Sequence, residues 1–371
     1  MGKKITVSVI SDLTTDQRVI RICSTLQQMG FEVSVIARSF ADSLPLDNYV
    51  FKATRLKCYF RKGVLQYAEF NLKIFFRLLV CKTDYLLAND LDVLIPNYVI
   101  SRVRSKKLFY DTHEYFTGVP ELRDSPIKKK VWKLFEDRIF PRLNTVYTVN
   151  ESVKTKYAQE YGNHIDVIRN VPLPLKQNVH LCISESWKGR KILLLQGAGI
   201  NIGRGGVELL EAMKHVPDDY LLLLIGGGTQ WDEIAIKRTT WKLEKKVEMI
   251  GKLPPSKLQQ YTAIAEIGFS LDSFQDLNCL YNLPNKIFDY IQAGVPIIAT
   301  SIPEVKLIIE TYQCGICIDD NQPLTIANAI KQMIEDKNAY ARFKQNCHLA
   351  ARELTWEKES VKLIDIYKPY L

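Results

Sequence analysis

The sequence predicts an α/β protein built from two Rossmann-like domains whose parallel sheets face each other across a central cleft. Two observations carry this expectation. Short apolar runs alternate with helical stretches in both halves, which implies parallel strands joined by right-handed crossovers. A Pro-rich segment, IRNVPLPLKQN (168–178), falls near the middle of the 371 residues and is the best hinge. The length suits two to three domains, and two similar halves favour two.

In the first half the expected strands are KITVSVI (4–10), FEVSVIA (31–37), TDYLLA (83–88), KKLFYD (106–111) and TVYTV (145–149). In the second they are KILLLQG (191–197), DYLLLLIG (219–226), VEMIG (247–251), EIGFSL (266–271), PIIAT (296–300) and GICID (315–319). Runs this apolar suit strands covered on both faces. The expected domains are 1–172 and 180–354. The tail from about 355 to 371 has helical spacing at Val361, Leu363, Ile364 and Ile366, and either caps the second domain or crosses back to the first.

At 47% hydrophobic and 25% charged, the composition is that of an ordinary globular protein. No opening signal peptide is visible, and no apolar run approaches the roughly 20 residues that a membrane span needs. The eight cysteines are scattered, so reduced thiols and a cytoplasmic location are expected. Cys314 and Cys317 form a CxxC with no second pair and read as core packing. The net charge of +9 lies wholly in the first half, where residues 1–170 hold 27 Lys and Arg against 18 Asp and Glu. Such a surface suits an anionic lipid or a phosphorylated substrate. No nucleic-acid motif accompanies it, and no nucleic-acid partner is expected. Residues 59–80 mix Phe and Tyr with Arg and Lys at helical spacing. A buried amphipathic helix is the default reading, but the same face, with Arg61, Lys62 and Arg77, also suits shallow docking on an anionic membrane at the inner leaflet.

The most informative segment is LPNKIFDYIQAGVPIIAT (283–300). Pro284 suits the first position of a helix, Ile287, Tyr290 and Ile291 give it an apolar stripe, and Gly294 ends it before the next strand. Lys286 is the anomaly. A cation in the first turn opposes the helix macrodipole by roughly 0.3–1 kcal/mol, a mismatch that an anion bound at that end would remove. Asp289, one turn on, is then placed to accept hydrogen bonds from ligand hydroxyls. A solvated Lys286–Asp289 pair accounts for the same residues. KILLLQGAGINIGRGGVELLEAM (191–213) repeats the theme: strand, Gly-rich turn, Arg204, helix. Its spacing matches neither the dinucleotide fingerprint nor the Walker motif. Two cations at two helix starts in one domain suit a pyrophosphate.

Together these segments resemble glycosyltransferase family 4, the group 1 glycosyltransferases of GT-B fold, over almost the whole chain. SDLTTDQRVIRICSTLQQMGFEVSVIA (11–37), YDTHEYF (110–116), IRNVP (168–172), RGGVELLEAM, LLLLIGGG, VEMIGKLPPSKL and the 283–300 segment follow the family order. The resemblance implies a retaining transferase that moves a sugar from a nucleotide-sugar donor to a hydroxyl of a glycan or lipid-linked acceptor, in cell-surface polysaccharide or glycoconjugate synthesis. It implies no cofactor and no metal. It assigns Arg204, Lys286 and Asn285 to the donor diphosphate, Asp289 and Asn282 to the ribose and sugar, and Gly251 and Leu253 to the base. Asp289 stands where the family has the second Glu of its E-x7-E motif. Tyr281 stands where the first would be, which is a departure. His113 is the implied catalytic residue, donating a hydrogen bond in the transition state. Asp12, Asp16, Arg18 and Glu114 are implied on the acceptor side. The family's tail, with Trp356, crosses back onto the first domain. Two alternatives stay open: a sugar-nucleotide epimerase of the same fold, and a catalytically silent partner subunit.

Overall fold

The computed structural model describes residues 2–41, 43, 45–46, 49–61, 63–119, 122, 125–174, 184–197, 199–274 and 277–371. Lys62, Cys182 and the end of the hinge segment, 175–178, lie outside the described residues. The chain divides into two compact units, Met1–Asn170 with Trp356–Leu371, and Val171–Thr355.

Unit 1 runs β1 (Lys4–Ser8), α1 (Gln17–Gln28), β2 (Glu32–Ser39), β3 (Lys52–Lys57), α2 (Gly63–Val80), β4 (Tyr85–Asn89), α3 (Leu91–Val103), β5 (Lys107–Thr112), α4 (Pro126–Ile139), β6 (Val146–Thr148), α5 (Glu151–Tyr161) and β7 (Ile165–Val167). Its parallel sheet has the order β3-β2-β1-β4-β5-β6-β7. Val7 pairs with Val35 on one side and Leu87 on the other, and all three are buried. The central strands are therefore apolar on both faces, as a sheet covered by helices requires.

Unit 2 runs β8 (Lys191–Gly197), α6 (Gly206–Ala212), β9 (Tyr220–Gly226), α7 (Trp231–Thr240), β10 (Val247–Ile250), α8 (Pro255–Ala263), β11 (Ile267–Ser270), α9 (Leu277–Leu280), α10 (Asn285–Gln292), β12 (Ile297–Thr300), α11 (Pro303–Tyr312), β13 (Gly315–Ile318), α12 (Pro323–Glu335) and α13 (Lys337–Ala351). Its sheet is also parallel, in the order β10-β9-β8-β11-β12-β13. Both sheets are Rossmann-like layers. In unit 2 the direction of winding reverses between β8 and β11, where open α/β sheets bind ligands at the strands' carboxyl ends.

The α10 segment folds for local reasons. Ile287, Phe288, Tyr290 and Ile291 are buried. Gly294 takes a φ of +70°, so Val295 N–H reaches Tyr290 O (2.9 Å) and Gly294 N–H reaches Ile291 O (3.1 Å), closing the helix in a Schellman motif. One detail corrects the sequence expectation: Pro284 is the N-cap in an extended conformation, with Asn285 as the first helical residue. The last helix, α14 (Trp356–Tyr367), packs in unit 1 beside α1. Trp356 Nε1 donates to Thr25 Oγ1 (3.0 Å), and Tyr367 stacks on Phe109 with ring centroids 4.3 Å apart.

Among the described residues no helix is long and apolar enough to cross a membrane. The helix expected within residues 59–80 exists as α2. It buries Phe70, Ile74 and Leu78 but leaves Leu65, Leu72, Phe76 and Leu79 exposed, so it is only partly the core helix of the default reading.

Candidate functional site

In unit 2 the Gly-rich loop after β8, the loop after β11 and the start of α10 converge at the switch point. Gly205 makes the approach: at a φ of +74°, a Cβ there would lie 2.3 Å from Leu271 Cβ and 2.7 Å from Leu271 O. Ser273 N–H donates to Gly203 O (2.8 Å), tying the two loops together. Arg204 Nη1 then donates to Asp272 Oδ1 at 2.6 Å, and Asp272 is fully buried. Asp272 also accepts from Ser270 Oγ (3.3 Å), and its carbonyl accepts from Thr300 Oγ1 (2.7 Å). Lys286 is the second cation near this carboxylate. Burial pushes its pKa below the ordinary lysine value, Asp272 opposes that shift, and Arg204 adds to it. Its ammonium has no hydrogen bond or ion pair among the described residues. Arg204 and Lys286 thus lie near one carboxylate beside the first-turn amides of α10, a cationic setting that suits a second anion.

The other unit 2 residues fall around this point. Gln196, buried at the end of β8, donates to Asp289 Oδ2 (3.1 Å) and accepts from Thr262 Oγ1 (2.7 Å), which fixes the Asp289 carboxylate. Asn285 is exposed at the first position of α10. Asn282 and Tyr281 are half-buried in the turn between α9 and α10. Gly251 is exposed and Leu253 half-buried in the turn that leads from β10 into α8.

In unit 1 the chemistry gathers at the carboxyl ends of β4 and β5. His113 follows β5. Its Nε2 lies 3.1 Å from Asp111 Oδ2, its Nδ1 3.2 Å from Asp90 Oδ2, and its main-chain N–H donates to Asp90 Oδ1 (2.7 Å). Burial disfavours the imidazolium, but the Asp90 and Asp111 carboxylates outweigh it and push the His113 pKa up to about 10. Burial likewise opposes ionisation of Asp111, yet Arg18 and His113 hold its pKa below the usual value.

Arg18 requires a correction. Implied on the acceptor side, it is instead buried within unit 1. It is 2% exposed and grips Asp111 in a fork, Nε to Oδ2 at 2.9 Å and Nη2 to Oδ1 at 2.6 Å. Its Nη1 donates to Ile168 O (2.6 Å). The reason is local: α1 begins at Gln17, so Arg18 lies in the first helical turn with its side chain turned inward. Asp16 is the N-cap of α1, accepting from Val19 N–H (3.0 Å). Asp12 is half-buried and accepts from Thr14 N–H (3.1 Å) and Thr14 Oγ1 (2.9 Å). Burial raises its pKa, but bonds from Ser43 and Thr14 and the charge of Arg55 bring it below the ordinary value. Glu114 is half-buried, and its carbonyl accepts from Thr112 Oγ1 (2.9 Å).

Four residues escaped the sequence reading: Asp90, Asp111, Gln196 and Asp272. Each lies in the last two residues of a strand run or just beyond its carboxyl end, and that position is the signal that could have found them.

Residues 184–349 match the family model described as glycosyl transferases group 1, and residues 16–171 match the model described as glycosyltransferase family 4. A curated relative, the D-inositol 3-phosphate glycosyltransferase of Xylanimonas cellulosilytica, is 19% identical over 184 residues. That match covers 47% of this chain and 42% of the relative, less than half the length of each. Among solved structures, Anabaena HepE in complex with UDP and glucose superposes with a TM-score of 0.78 at 15% identity, covering 99% of this chain and 100% of that one. Sucrose-phosphate synthase of Thermosynechococcus elongatus superposes with a TM-score of 0.76 at 14% identity, covering 99% of this chain and 98% of that one. At such identities the structural likeness speaks to the fold.

Proposed function

We propose that this chain, which belongs to the group 1 glycosyltransferases of family 4, transfers a sugar from a nucleotide-sugar donor to a hydroxyl of a glycan or lipid-linked acceptor. The observation that carries this reading is the pair of cations at the switch point of unit 2, Arg204 paired with the buried carboxylate of Asp272 and Lys286 within its electrostatic reach. A diphosphate suits this cationic setting at the start of α10. Asn285 and the first-turn amides of α10 are assigned to the same group. Asp289, steadied by Gln196, is assigned to the ribose hydroxyls, Asn282 to the sugar, and the turn at Gly251 and Leu253 to the base.

The chemistry we assign is retaining. The bond between the anomeric carbon and the diphosphate oxygen breaks, and the acceptor oxygen bonds to the same face of that carbon. The acceptor's proton passes to the departing diphosphate. Arg204, Lys286 and the helix start take the developing charge, so no metal and no cofactor are assigned. His113 is the proposed catalytic side chain of unit 1, and Asp12 and Glu114 are the groups there left for acceptor contact. HepE was solved with UDP and glucose, which makes UDP-sugars the first donors to try. The exposed apolar face of α2, flanked by Arg61 and Arg77, supports a lipid-linked acceptor met at an anionic membrane surface.

The test is nucleotide release from a panel of UDP-, GDP-, ADP- and dTDP-sugars, with and without cell-envelope glycolipid and polysaccharide fractions. Release that depends on both one donor and one acceptor fraction is expected. Interconversion of a sugar nucleotide without acceptor would replace the reading by an epimerase. Binding without any turnover would replace it by a silent subunit.

A further inference from the structure

The surroundings of His113 fix its proton count. Both ring nitrogens face carboxylate oxygens, Nε2 at 3.1 Å from Asp111 and Nδ1 at 3.2 Å from Asp90. An ionised carboxylate only accepts, so with Asp90 and Asp111 both ionised each ring nitrogen carries a hydrogen. A neutral imidazole would turn a lone pair toward one of the two oxygens.

Neither carboxylate is at liberty to turn away. Asp111 is fully buried and forked by Arg18, itself buried in α1. Asp90 takes a φ of +64°, a left-handed conformation that non-glycine residues rarely adopt, and it is tied at both ends. Its N–H donates to Asp111 O (2.8 Å), and its carboxylate accepts the N–H of His113 (2.7 Å). A strained backbone kept in place by two hydrogen bonds, with its side chain against an imidazole, is the signature of a positioned group.

We propose that Asp90 and Asp111 are positioning residues that keep His113 doubly protonated throughout the neutral range, so that His113 contributes a fixed positive charge and carries no proton. The charged groups around it agree. Asp90 and Asp111 draw the proton to the ring and Arg18 opposes them. Asp92, in the first turn of α3, is pushed well up by burial and by the neighbouring Asp90 and Glu114 charges, with His113 opposing. Burial raises the Asp90 pKa, His113 draws it back, and the Asp111 and Asp16 charges add to the rise. The meaning for catalysis rests on the transferase reading: with His113 unable to accept a proton, the acceptor's proton has the departing diphosphate as its destination.

The experiment is a nitrogen-15 titration of the histidine rings in the full chain, with the His113 signals assigned by their loss in His113→Asn. Both ring nitrogens of His113 are expected at imidazolium shifts from pH 6 to 8.5. Asp90→Asn is expected to lower the titration point by at least one pH unit, a tenfold loss of proton affinity. Its kcat is then expected to fall as pH rises through the lowered value, while the wild-type profile has no such limb between pH 6 and 8.5. Wild-type His113 titrating near 6.5, or a neutral ring at pH 7.5 with the proton on Asp90, would overturn the proposal. An unchanged titration in Asp90→Asn would remove Asp90 from it. Should that variant fail to fold, the wild-type titration decides alone. Absence of sugar transfer with every donor would count against the proposed function and leave the ring titration to decide the protonation state.

Discussion

Arg204 and Lys286 look alike in the sequence, each a cation at a helix start, but the structure gives them different tasks. Arg204 is held on the buried Asp272 at 2.6 Å, so part of its charge is already matched. Lys286 has no such bond among the described residues, and burial lowers its pKa. An anion bound at α10 restores what burial removes, which makes Lys286 the more sensitive reporter of ligand. Gly205 is the residue that lets the loop come this close. Gly205→Ala forces a φ of +74° on a residue with a Cβ and drives that Cβ into Leu271. The left-handed conformation alone costs about 1–2 kcal/mol, and the backbone contact adds to it. Denaturant unfolding of the variant is expected to show a loss of at least ~1 kcal/mol; an unchanged midpoint would mean that the loop sits elsewhere.

Elements were legible from the sequence in proportion to their burial. All six strands of unit 2 and the five inner strands of unit 1 follow the apolar runs; the central ones are covered on both faces and must be apolar throughout, while the half-buried edges β10 and β13 are still apolar enough to stand out. The two strands that escaped, β3 and β7, are the two edges of the unit 1 sheet. β3 reads KATRLK and has no buried residue, while β7 is a three-residue IDV whose two buried positions are split by Asp166, so neither forms a continuous apolar run. The site was legible in the same uneven way. Lys286 and Arg204 stood out because a cation at a helix start is anomalous, and His113 through the resemblance of YDTHEYF to the family's loop. Asp90, Asp111 and Asp272 did not, because their importance lies in side-chain contacts made across the fold. Helix α14 shows how strongly such contacts can bind an element. Tyr367 is fully buried, stacks on Phe109, and shares a hydrogen bond with Tyr147 (3.2 Å between oxygens). Tyr367→Ala is expected to cost about 3–5 kcal/mol, read as a lower unfolding midpoint. A loss under ~1 kcal/mol would contradict the packing of α14 in unit 1.

At the scale of the whole molecule, the basic excess of the first half has a place in unit 1. Helices α2 and α4 are neighbours there, with Tyr67 against Trp132 at 5.4 Å between ring centroids. Leu65, Leu72 and Phe76 on α2 and Ile127, Val131 and Leu134 on α4 are exposed, beside exposed Lys128, Lys129 and Lys130. Apolar side chains ringed by cations suit an anionic lipid surface better than a neutral one. Co-sedimentation with vesicles containing anionic phospholipid, weakening as salt rises and on Arg61→Glu with Arg77→Glu, is the expected result. Equal binding to neutral vesicles, or none to anionic ones, would dismiss the membrane contact. The central claim is narrower: unit 2 holds a nucleoside diphosphate between its two cations. Calorimetric titration of UDP, GDP, ADP and dTDP into the wild type and Lys286→Ala tests it most directly. One nucleotide is expected to bind clearly and to bind about ten- to a hundredfold more weakly in the variant, the loss of a charge-assisted contact worth ~1.5–3 kcal/mol. Equal affinity in both proteins, or no binding by any of the four, would contradict the donor site.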